Sequence, residues 1–360
     1  MNSVKSKREF EQADTQCVKG VAILLLLYYH LFRVQFENEA MGIKFFIPVE
    51  ISEILIGFGN ICVAIFLFLS AYGMTKKLLS KEQKLCEMYS YSLKRLLTIV
   101  IHFVVMFISV NALWFHFFDY ARLYGEGKQG IIFMLVDAIG FAQIFGTPTL
   151  CETWWYMEIA IICIVVIPLL VLLVKKAGWK ILLPALLLPC IITLPKDFGR
   201  YYLVMILGAV VAKEDWLTKL HETKIPKAVK VIVCLLLVAL SVAIRQNFMV
   251  FETFAYLIDA PIAFLLVYSV YEIIPGKSIP GRVLGFLGKH SMNIYFVHTF
   301  FYLILWRDYI YKPKVAILIY LCLLFVSLLY SVLLELVKKL VQIPRLISVL
   351  ERMTEGRKKQ

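Results

Sequence analysis

Residues 17–32, CVKGVAILLLLYYHLF, form the first long apolar stretch of the chain. A run of this kind predicts a membrane-spanning helix. Lys19 and His30 lie in it with ten residues between them. Eleven helical steps amount to about three turns plus 20°, so both side chains lie on one face, about 16 Å apart along the axis. A cation at the water boundary and a deeper imidazole predict a route by which a long anionic substrate reaches a buried base.

The composition of the whole chain is that of an integral membrane protein. Its 360 residues are 61% hydrophobic, and the mean hydropathy is +0.80. We therefore predict an all-α bundle of transmembrane helices. The first apolar run is long and lacks a small-residue cleavage site, which favours an uncleaved anchor over a signal peptide.

The net charge of +13 does not indicate a nucleic-acid partner. The basic residues alternate with apolar spans, as cytoplasmic loops do, and their expected neighbour is membrane lipid. The eight cysteines are scattered without a CxxC pair, so we expect neither a disulfide framework nor a metal site.

Apolar runs predict about ten spans, and basic residues predict their orientation. The spans lie near 18–36, 54–74, 97–118, 157–174, 181–195, 200–213, 229–246, 254–274, 291–306 and 315–337. The short, more polar stretch 131–146 is ambiguous. If it does not cross, most of the 38 Lys and Arg residues face the cytoplasm, whereas a crossing there would invert every later loop. We therefore predict a non-crossing outer helix at 131–146 and cytoplasmic termini.

Three segments follow from this topology. Residues 1–17 form a cytoplasmic N-terminal segment, and 18–337 form the transmembrane domain. Residues 338–360 form a basic cytoplasmic tail, apposed to anionic lipid.

Each residue of the Lys19/His30 pair has two interpretations. His30 is either functional, because polar groups deep in a membrane tend to mark a pathway or an active centre, or a hydrogen-bonding link between helices. Lys19 is either a topological anchor or a phosphate contact at a helix N-terminus. Gly20 beside it would let a ligand approach the backbone closely.

Five segments carry a resemblance to a known family. They are Lys19-Gly20-Val21-Ala22 through His30, FLFLSAYGM (66–74), SLKRLLT (92–98), TWWYMEIAIICIVVIPLL (153–170) and LGKHSMNIYFVHTFF (287–301). In this order they resemble the membrane-bound acyltransferase 3 family, whose first span carries a basic residue, usually Arg, then ten residues, then His. The resemblance covers nearly the whole chain. Lys replaces the usual Arg, which keeps the charge but loses bidentate phosphate recognition.

The resemblance implies a membrane enzyme of the class that transfers acyl groups other than amino-acyl groups. Its expected reaction moves an acyl group, usually acetyl, from cytoplasmic acyl-CoA to a hydroxyl of an envelope glycan. Acyl-CoA is then a co-substrate, and no permanently bound cofactor is expected. The expected location is the bacterial plasma membrane, with multiple spans. His30 is implied as the essential base and Lys19 as its basic partner.

Other candidate residues follow the same segments. Arg95 would hold CoA phosphates together with Lys19, although Thr98 stands where the family often has a second Arg. Ser70 would line the substrate site, although Ala71 stands where the family usually has Gly. Glu158 would orient an acceptor hydroxyl or His30.

The remaining candidates are aromatic or late in the chain. Trp155 would offer a flat face to a sugar ring, or belong to an interfacial aromatic belt. Asn293 and His298 would line the substrate site. Asp259 is an intramembrane carboxylate to which we assign no family role. The alternative function is a transporter or glycan exporter without catalysis, which ten spans with intramembrane polar groups would also suit.

Overall fold

The structure, a computed structural model, describes residues 8–248 and 255–356, with side chains except at 35–37, 248 and 351–356. Lys5 and Lys7 of the predicted N-terminal segment lie outside the described residues, as do Arg357, Lys358 and Lys359 of the predicted basic tail. The described part is helical and has no β-strand, apart from an isolated bridge between Lys44 and Val315.

We number the α-helices of the described residues in chain order. They are α1 Gln12–Phe32, α2 Gln35–Ala40, α3 Val49–Gly59, α4 Cys62–Leu79, α5 Leu85–Trp114, α6 Tyr120–Tyr124, α7 Gly127–Ala138, α8 Ala142–Phe145, α9 Tyr156–Ala177, α10 Leu182–Ile191, α11 Lys196–Glu214, α12 Trp216–His221, α13 Lys227–Phe248, α14 Ala255–Ile273, α15 Ile279–Thr299, α16 Arg307–Tyr311, α17 Ala316–Leu340 and α18 Ile343–Gly356. A π-helical segment, Phe300–Leu305, continues α15.

Seven helical stretches among the described residues are long and apolar enough to cross a membrane. They are Gln12–Phe32, Val49–Leu79, Leu85–Phe117, Glu152–Ile191, Lys227–Asn247, Ala255–Ile273 and Ala316–Leu340. The prediction of an all-α, multi-pass membrane protein is therefore confirmed. The number of crossings and the side on which each terminus lies stay predictions.

The three other predicted spans also fall on helices. The span at 181–195 overlaps the stretch Glu152–Ile191, which also covers the span at 157–174. The span at 200–213 lies in α11, which carries charges at both ends, and the span at 291–306 lies in α15 and its π-helical continuation.

The segment at 131–146 is divided between α7 and the four-residue α8. The twelve residues of α7 rise about 18 Å, which is shorter than the hydrocarbon core of about 30 Å. This length favours a segment that does not cross, while its position on the outer side stays a prediction.

The described chain divides into two compact units. The predicted segments 1–17, 18–337 and 338–360 stay predictions. Unit 1 comprises the described parts of Met1–Gln35, Ile47–Lys81 and Leu169–Ser291, and unit 2 those of Phe36–Phe46, Glu82–Pro168 and Met292–Gln360.

Unit 1 is organised around α4, which packs along α11 and also contacts α1 and α14. Close contact is possible because Gly208 of α11 faces the Phe68 carbonyl of α4, where a Cβ would lie 2.7 Å from that oxygen. The start of α1 is fixed by Asp14, whose carboxylate accepts from Arg8 and from the backbone N–H groups of Glu11 and Gly276.

Unit 2 has an aromatic core. Phe103 of α5 meets Trp154 and Phe296 edge to face, each at 5.0 Å between ring centroids. The Trp154 indole also donates to the Phe296 carbonyl at 2.9 Å, which satisfies its buried N–H. These contacts fix the start of α9 against the end of α15, the two places where unit 2 carries most of its candidate residues.

Candidate active site

The Lys19/His30 pair lies in one uninterrupted helix, as the sequence predicts. α1 contains both residues and is 21 residues long, a rise of about 30 Å. Lys19 lies in its second turn and His30 two residues before its end, and both side chains are half-buried. The helix therefore carries a charge about a third of the way along it and an imidazole near its C-terminal end, in unit 1. Lys19 does not lie at the helix N-terminus, as one interpretation of the sequence expected, because α1 begins at Gln12.

Gly20 permits a close approach, but the approach is made by another helix rather than by a ligand. A Cβ at Gly20 would lie 2.0 Å from the Leu284 carbonyl oxygen of α15. A Cβ at Gly288 of α15 would likewise lie 1.8 Å from the Gln16 carbonyl oxygen of α1. These two glycines let the backbones of α1 and α15 touch beside Lys19.

Ser70 lies on α4, also in unit 1, and is half-buried, whereas the following Ala71 is fully buried. The Ser70 side chain is therefore partly exposed, while that of its neighbour Ala71 is enclosed by the packing of α4. Its role in substrate binding stays a prediction.

Arg95 and Thr98 lie one turn apart on α5 of unit 2. Arg95 is exposed, while the Thr98 hydroxyl donates to the Lys94 carbonyl within the helix at 2.8 Å. The Thr98 hydroxyl is therefore bonded to the backbone of its own helix. The Arg95 side chain is exposed to solvent.

Trp155 lines a narrow cleft in unit 2, with room for about one water molecule. Polar and aromatic groups share its wall: Phe103, Asp137, Gln143, Thr149, Trp154 and Trp155. The cleft is far smaller than a typical small-molecule pocket, so the contact of Trp155 with a sugar ring stays a prediction. Glu158 follows three residues later on α9 and is half-buried.

Asp137 organises one wall of this cleft. Its carboxylate is 1% exposed and accepts from the Tyr124 hydroxyl at 2.6 Å, the Thr149 hydroxyl at 2.9 Å and the Leu150 N–H at 2.7 Å. Burial raises the pKa of the Asp137 carboxyl, and the three donors act in the opposite direction. Asp137 lies in the segment 131–146, whose polar character made its assignment from the sequence ambiguous, and the sequence does not predict these three donors.

His298 is completely buried next to the π-helical segment. Its Nδ1 lies 2.7 Å from the Tyr295 carbonyl oxygen, so this nitrogen is the protonated donor and Nε2 is the acceptor. Thr299 Oγ1 lies 3.4 Å from Nε2 and 3.0 Å from Thr153 Oγ1. A chain of polar atoms thus links His298 to the residues before Trp155.

Asn293 is held by α17. Its Nδ2 donates to Ser331 Oγ at 3.0 Å and to Glu335 Oε1 at 2.8 Å, and its Oδ1 accepts from Lys338 Nζ at 3.0 Å. These bonds account for the burial of the amide and give Asn293 a structural task, whereas its contact with substrate stays a prediction.

Two charged residues of unit 1 were missed by the sequence analysis. Arg200 of α11 and Arg245 of α13 both donate to Asp259 of α14. The signal was present in the sequence, because all three residues lie inside predicted apolar spans and carry opposite charges.

The comparison with protein-family models decides the family. A model described as an acyltransferase domain matches residues 14–336, which is most of the chain. The chain belongs to the acyltransferase 3 family. Searches of curated proteins and of solved structures found no match.

The resemblance seen in the five sequence segments is thereby confirmed. This acyltransferase is a multi-pass membrane enzyme in general terms, which favours catalysis over the alternative of a non-catalytic exporter. The matched range includes Lys19, His30, Ser70, Arg95, Trp155, Glu158, Asn293 and His298.

Proposed function

We propose that this acyltransferase moves an acyl group, acetyl in the simplest case, from cytoplasmic acyl-CoA to a hydroxyl of an envelope or exported polysaccharide. The observation that carries the proposal is the placement of Lys19 and His30 on one face of the continuous helix α1. The proposed location is the bacterial plasma membrane, with acyl-CoA on the cytoplasmic side.

The donor binds by its charged end. Its phosphates contact the Lys19 ammonium in a charge-assisted interaction. Because α1 begins at Gln12, this contact does not depend on the N-terminus of the helix. The pantetheine arm extends along the helix for the axial distance of about 16 Å and places the thioester near His30. Arg95 is proposed as a further contact for the donor phosphates.

The chemical step uses His30 as a general base. His30 removes the proton of the acceptor hydroxyl while its oxygen attacks the thioester carbonyl. A C–O bond forms, the C–S bond breaks, and the proton held by His30 passes to the departing CoA thiolate. General base assistance of this kind contributes about 10²–10⁴-fold. In a variant of this scheme, His30 carries the acyl group covalently between the two substrates.

The acceptor class follows the family resemblance. Trp155 is proposed to offer the flat face of its indole to a sugar ring of the acceptor. Glu158, on the following turn, is proposed to orient the acceptor hydroxyl.

The polysaccharide itself tests this function. Envelope glycans from cells with and without the protein are compared by mass spectrometry, before and after mild alkaline removal of esters. The proposal predicts that loss of the protein removes one alkali-labile acyl group per modified sugar. If the glycan keeps its acyl groups but no longer reaches the surface, the exporter is correct and the proposal is wrong.

A further inference from the structure

The sequence segments that carry the family resemblance assign no role to Asp259, but the structure places it at the centre of a buried charge cluster. Asp259 is 0% exposed on α14. Its Oδ1 accepts from Arg245 Nε at 2.9 Å, and its Oδ2 accepts from Arg200 Nε at 3.1 Å and Nη2 at 3.0 Å. Three helices of unit 1 therefore meet at one carboxylate.

The cluster has one more positive charge than its carboxylate neutralises. Two guanidinium groups share Asp259, and the Arg245 side chain is only 3% exposed. An unpaired charge is costly in an apolar bundle, and one arginine would have been enough for a structural ion pair. The second arginine therefore needs a further negatively charged partner to offset its charge.

The donors of Arg245 show where that partner would bind. Its Nε is used by Asp259 and its Nη1 donates to the Gly57 carbonyl at 2.7 Å. Its Nη2 is buried and has no hydrogen-bond partner within the described part of the chain. A guanidinium carries five N–H donors, and a buried donor without a partner costs about 1–3 kcal/mol.

The cluster is open at Arg200. The Arg200 side chain is 24% exposed, against 1% for that of Asp259. The cluster is therefore accessible from the side of Arg200, whereas the Arg245 guanidinium is buried.

The cluster adjoins the His30 end of α1. Gly57, which holds Arg245, lies two residues before Gly59 on α3. A Cβ at Gly59 would lie 3.0 Å from Cβ of Tyr29, the neighbour of His30. The excess charge thus lies beside the part of α1 that carries the proposed base, and not beside Lys19.

We propose that Arg200 and Arg245 form an oxyanion-binding site, held in shape by Asp259, that receives a carboxylate or phosphate group of the acceptor. The assignment to the acceptor rests on the proposed function, since the donor phosphates are assigned to the Lys19 end. The predicted acceptor is an acidic glycan or a glycan attached through phosphate.

Anion binding is measured on the purified full chain in detergent without acyl-CoA. The probes are glucuronate, glucose 1-phosphate and neutral glucose, and the readout is the unfolding midpoint as a function of probe concentration. At least one anionic probe is expected to raise the midpoint while glucose does not, and the stronger of the two identifies carboxylate or phosphate as the preferred group. No shift with either anion would overturn the inference.

Variants separate a binding site from a structural ion cluster. Arg200→Gln is expected to weaken anion binding by about tenfold or more, whereas Arg33→Gln, at an exposed arginine just after α1, leaves it unchanged. Asp259→Asn removes the competing carboxylate and is expected to tighten binding. Arg200→Gln leaves Arg245 and Asp259 as a neutral ion pair, so this variant should keep its fold, and its unfolding midpoint without any probe measures this directly.

The opposite pattern contradicts the inference: unchanged binding in Arg200→Gln, or an Asp259→Asn variant that loses stability without gaining affinity. His30→Ala is expected to bind the anion like the wild type. The anion site can therefore fail while acyl transfer stands, or stand while acyl transfer by His30 fails.

Discussion

At the scale of single residues, the proposed chemistry depends on two side chains of α1 that differ in character, the Lys19 ammonium and the His30 imidazole. A fixed cation can hold phosphate but cannot act as a base, and a neutral imidazole can accept a proton near pH 7. Both are half-buried, so each combines access to a ligand with a partly desolvated environment. The distance between them along the helix suits a donor with a charged head and a distant reacting group.

Lys19→Gln tests the donor contact. Because a hydrogen bond to a charged group contributes about 1.5–3 kcal/mol, we expect KM for acetyl-CoA to rise about tenfold to a hundredfold with a much smaller change in kcat. Steady-state kinetics of CoA release measure both constants. Lys19→Arg is the matched control and should keep or lower KM, since a guanidinium binds phosphate in a bidentate manner. An unchanged KM in Lys19→Gln would make Lys19 only a topological anchor.

Sequence reasoning reached the pair on α1 but not the arginines around Asp259. The spacing of Lys19 and His30 is a property of one helix, so helical geometry predicts their common face. The contacts of Asp259 join α11, α13 and α14, and no periodicity predicts which intramembrane charges will meet. Gly20 was misjudged for the same reason, since its partner is the Leu284 carbonyl of a distant segment.

At the scale of helices, the position of α1 depends on glycine contacts with α15. Gly20 and Gly288 bring the two backbones together where side chains of any size would separate them. Small residues at such crossings are typical of membrane bundles, where close packing replaces the hydrophobic driving force. The same contact fixes the rotation of α1 and hence the direction of Lys19.

Gly288→Ala is expected to destabilise this crossing. A Cβ there would lie 1.8 Å from the Gln16 carbonyl oxygen, so the helices must move apart at a cost of about 1–3 kcal/mol. The unfolding midpoint in detergent should fall. Gly73→Ala on α4 is the matched control, because nothing lies within 4 Å of its Cβ position and alanine is the better helix former. If the two variants had the same midpoint, the close crossing would not stabilise the fold.

The helix bounds differ from the spans that the apolar pattern predicts. The first span was predicted at 18–36, whereas α1 begins at Gln12 because Asp14 joins Arg8 and the Gly276 N–H at the helix start. The span at 54–74 is interrupted between Gly59 and Cys62, where α3 ends and α4 begins. Hydropathy predicts the presence of apolar helices, but their ends and breaks depend on polar contacts with remote segments.

At the scale of the whole molecule, the proposed mechanism depends on the side of the membrane on which each helix begins. The distribution of Lys and Arg predicts a cytoplasmic start of α1, which is the side that holds acyl-CoA. Seven helical stretches in the described residues satisfy the length and hydropathy of a span, while ten were predicted. α11 was predicted as a span at 200–213 but is not among the seven stretches. The reason is that Lys196, Asp197 and Arg200 lower the mean hydropathy of a helix that is otherwise buried.

Cysteine labelling tests this topology. Cys86, exposed at the start of α5, is predicted to face the cytoplasm, and Lys128, exposed on α7, the outer side. Because Cys190 is also exposed, Cys190→Ser serves as the parent protein. In intact cells a membrane-impermeant maleimide should label Lys128→Cys in this background but not the parent. After permeabilisation both should be labelled, and the signal of the parent should disappear in Cys86→Ser. Wild-type labelling in intact cells through Cys86 would invert the model and place Lys19 away from acyl-CoA.

The transfer rate of a His30 variant shows whether His30 is the general base. Purified wild-type protein, His30→Ala and the control His116→Ala, at an exposed histidine after α5, are given labelled acetyl-CoA and the envelope polysaccharide. The account predicts that His30→Ala lowers the rate of label transfer by about 10²–10⁴-fold with an unchanged unfolding midpoint, while His116→Ala transfers at the wild-type rate. Wild-type transfer by folded His30→Ala would contradict the account.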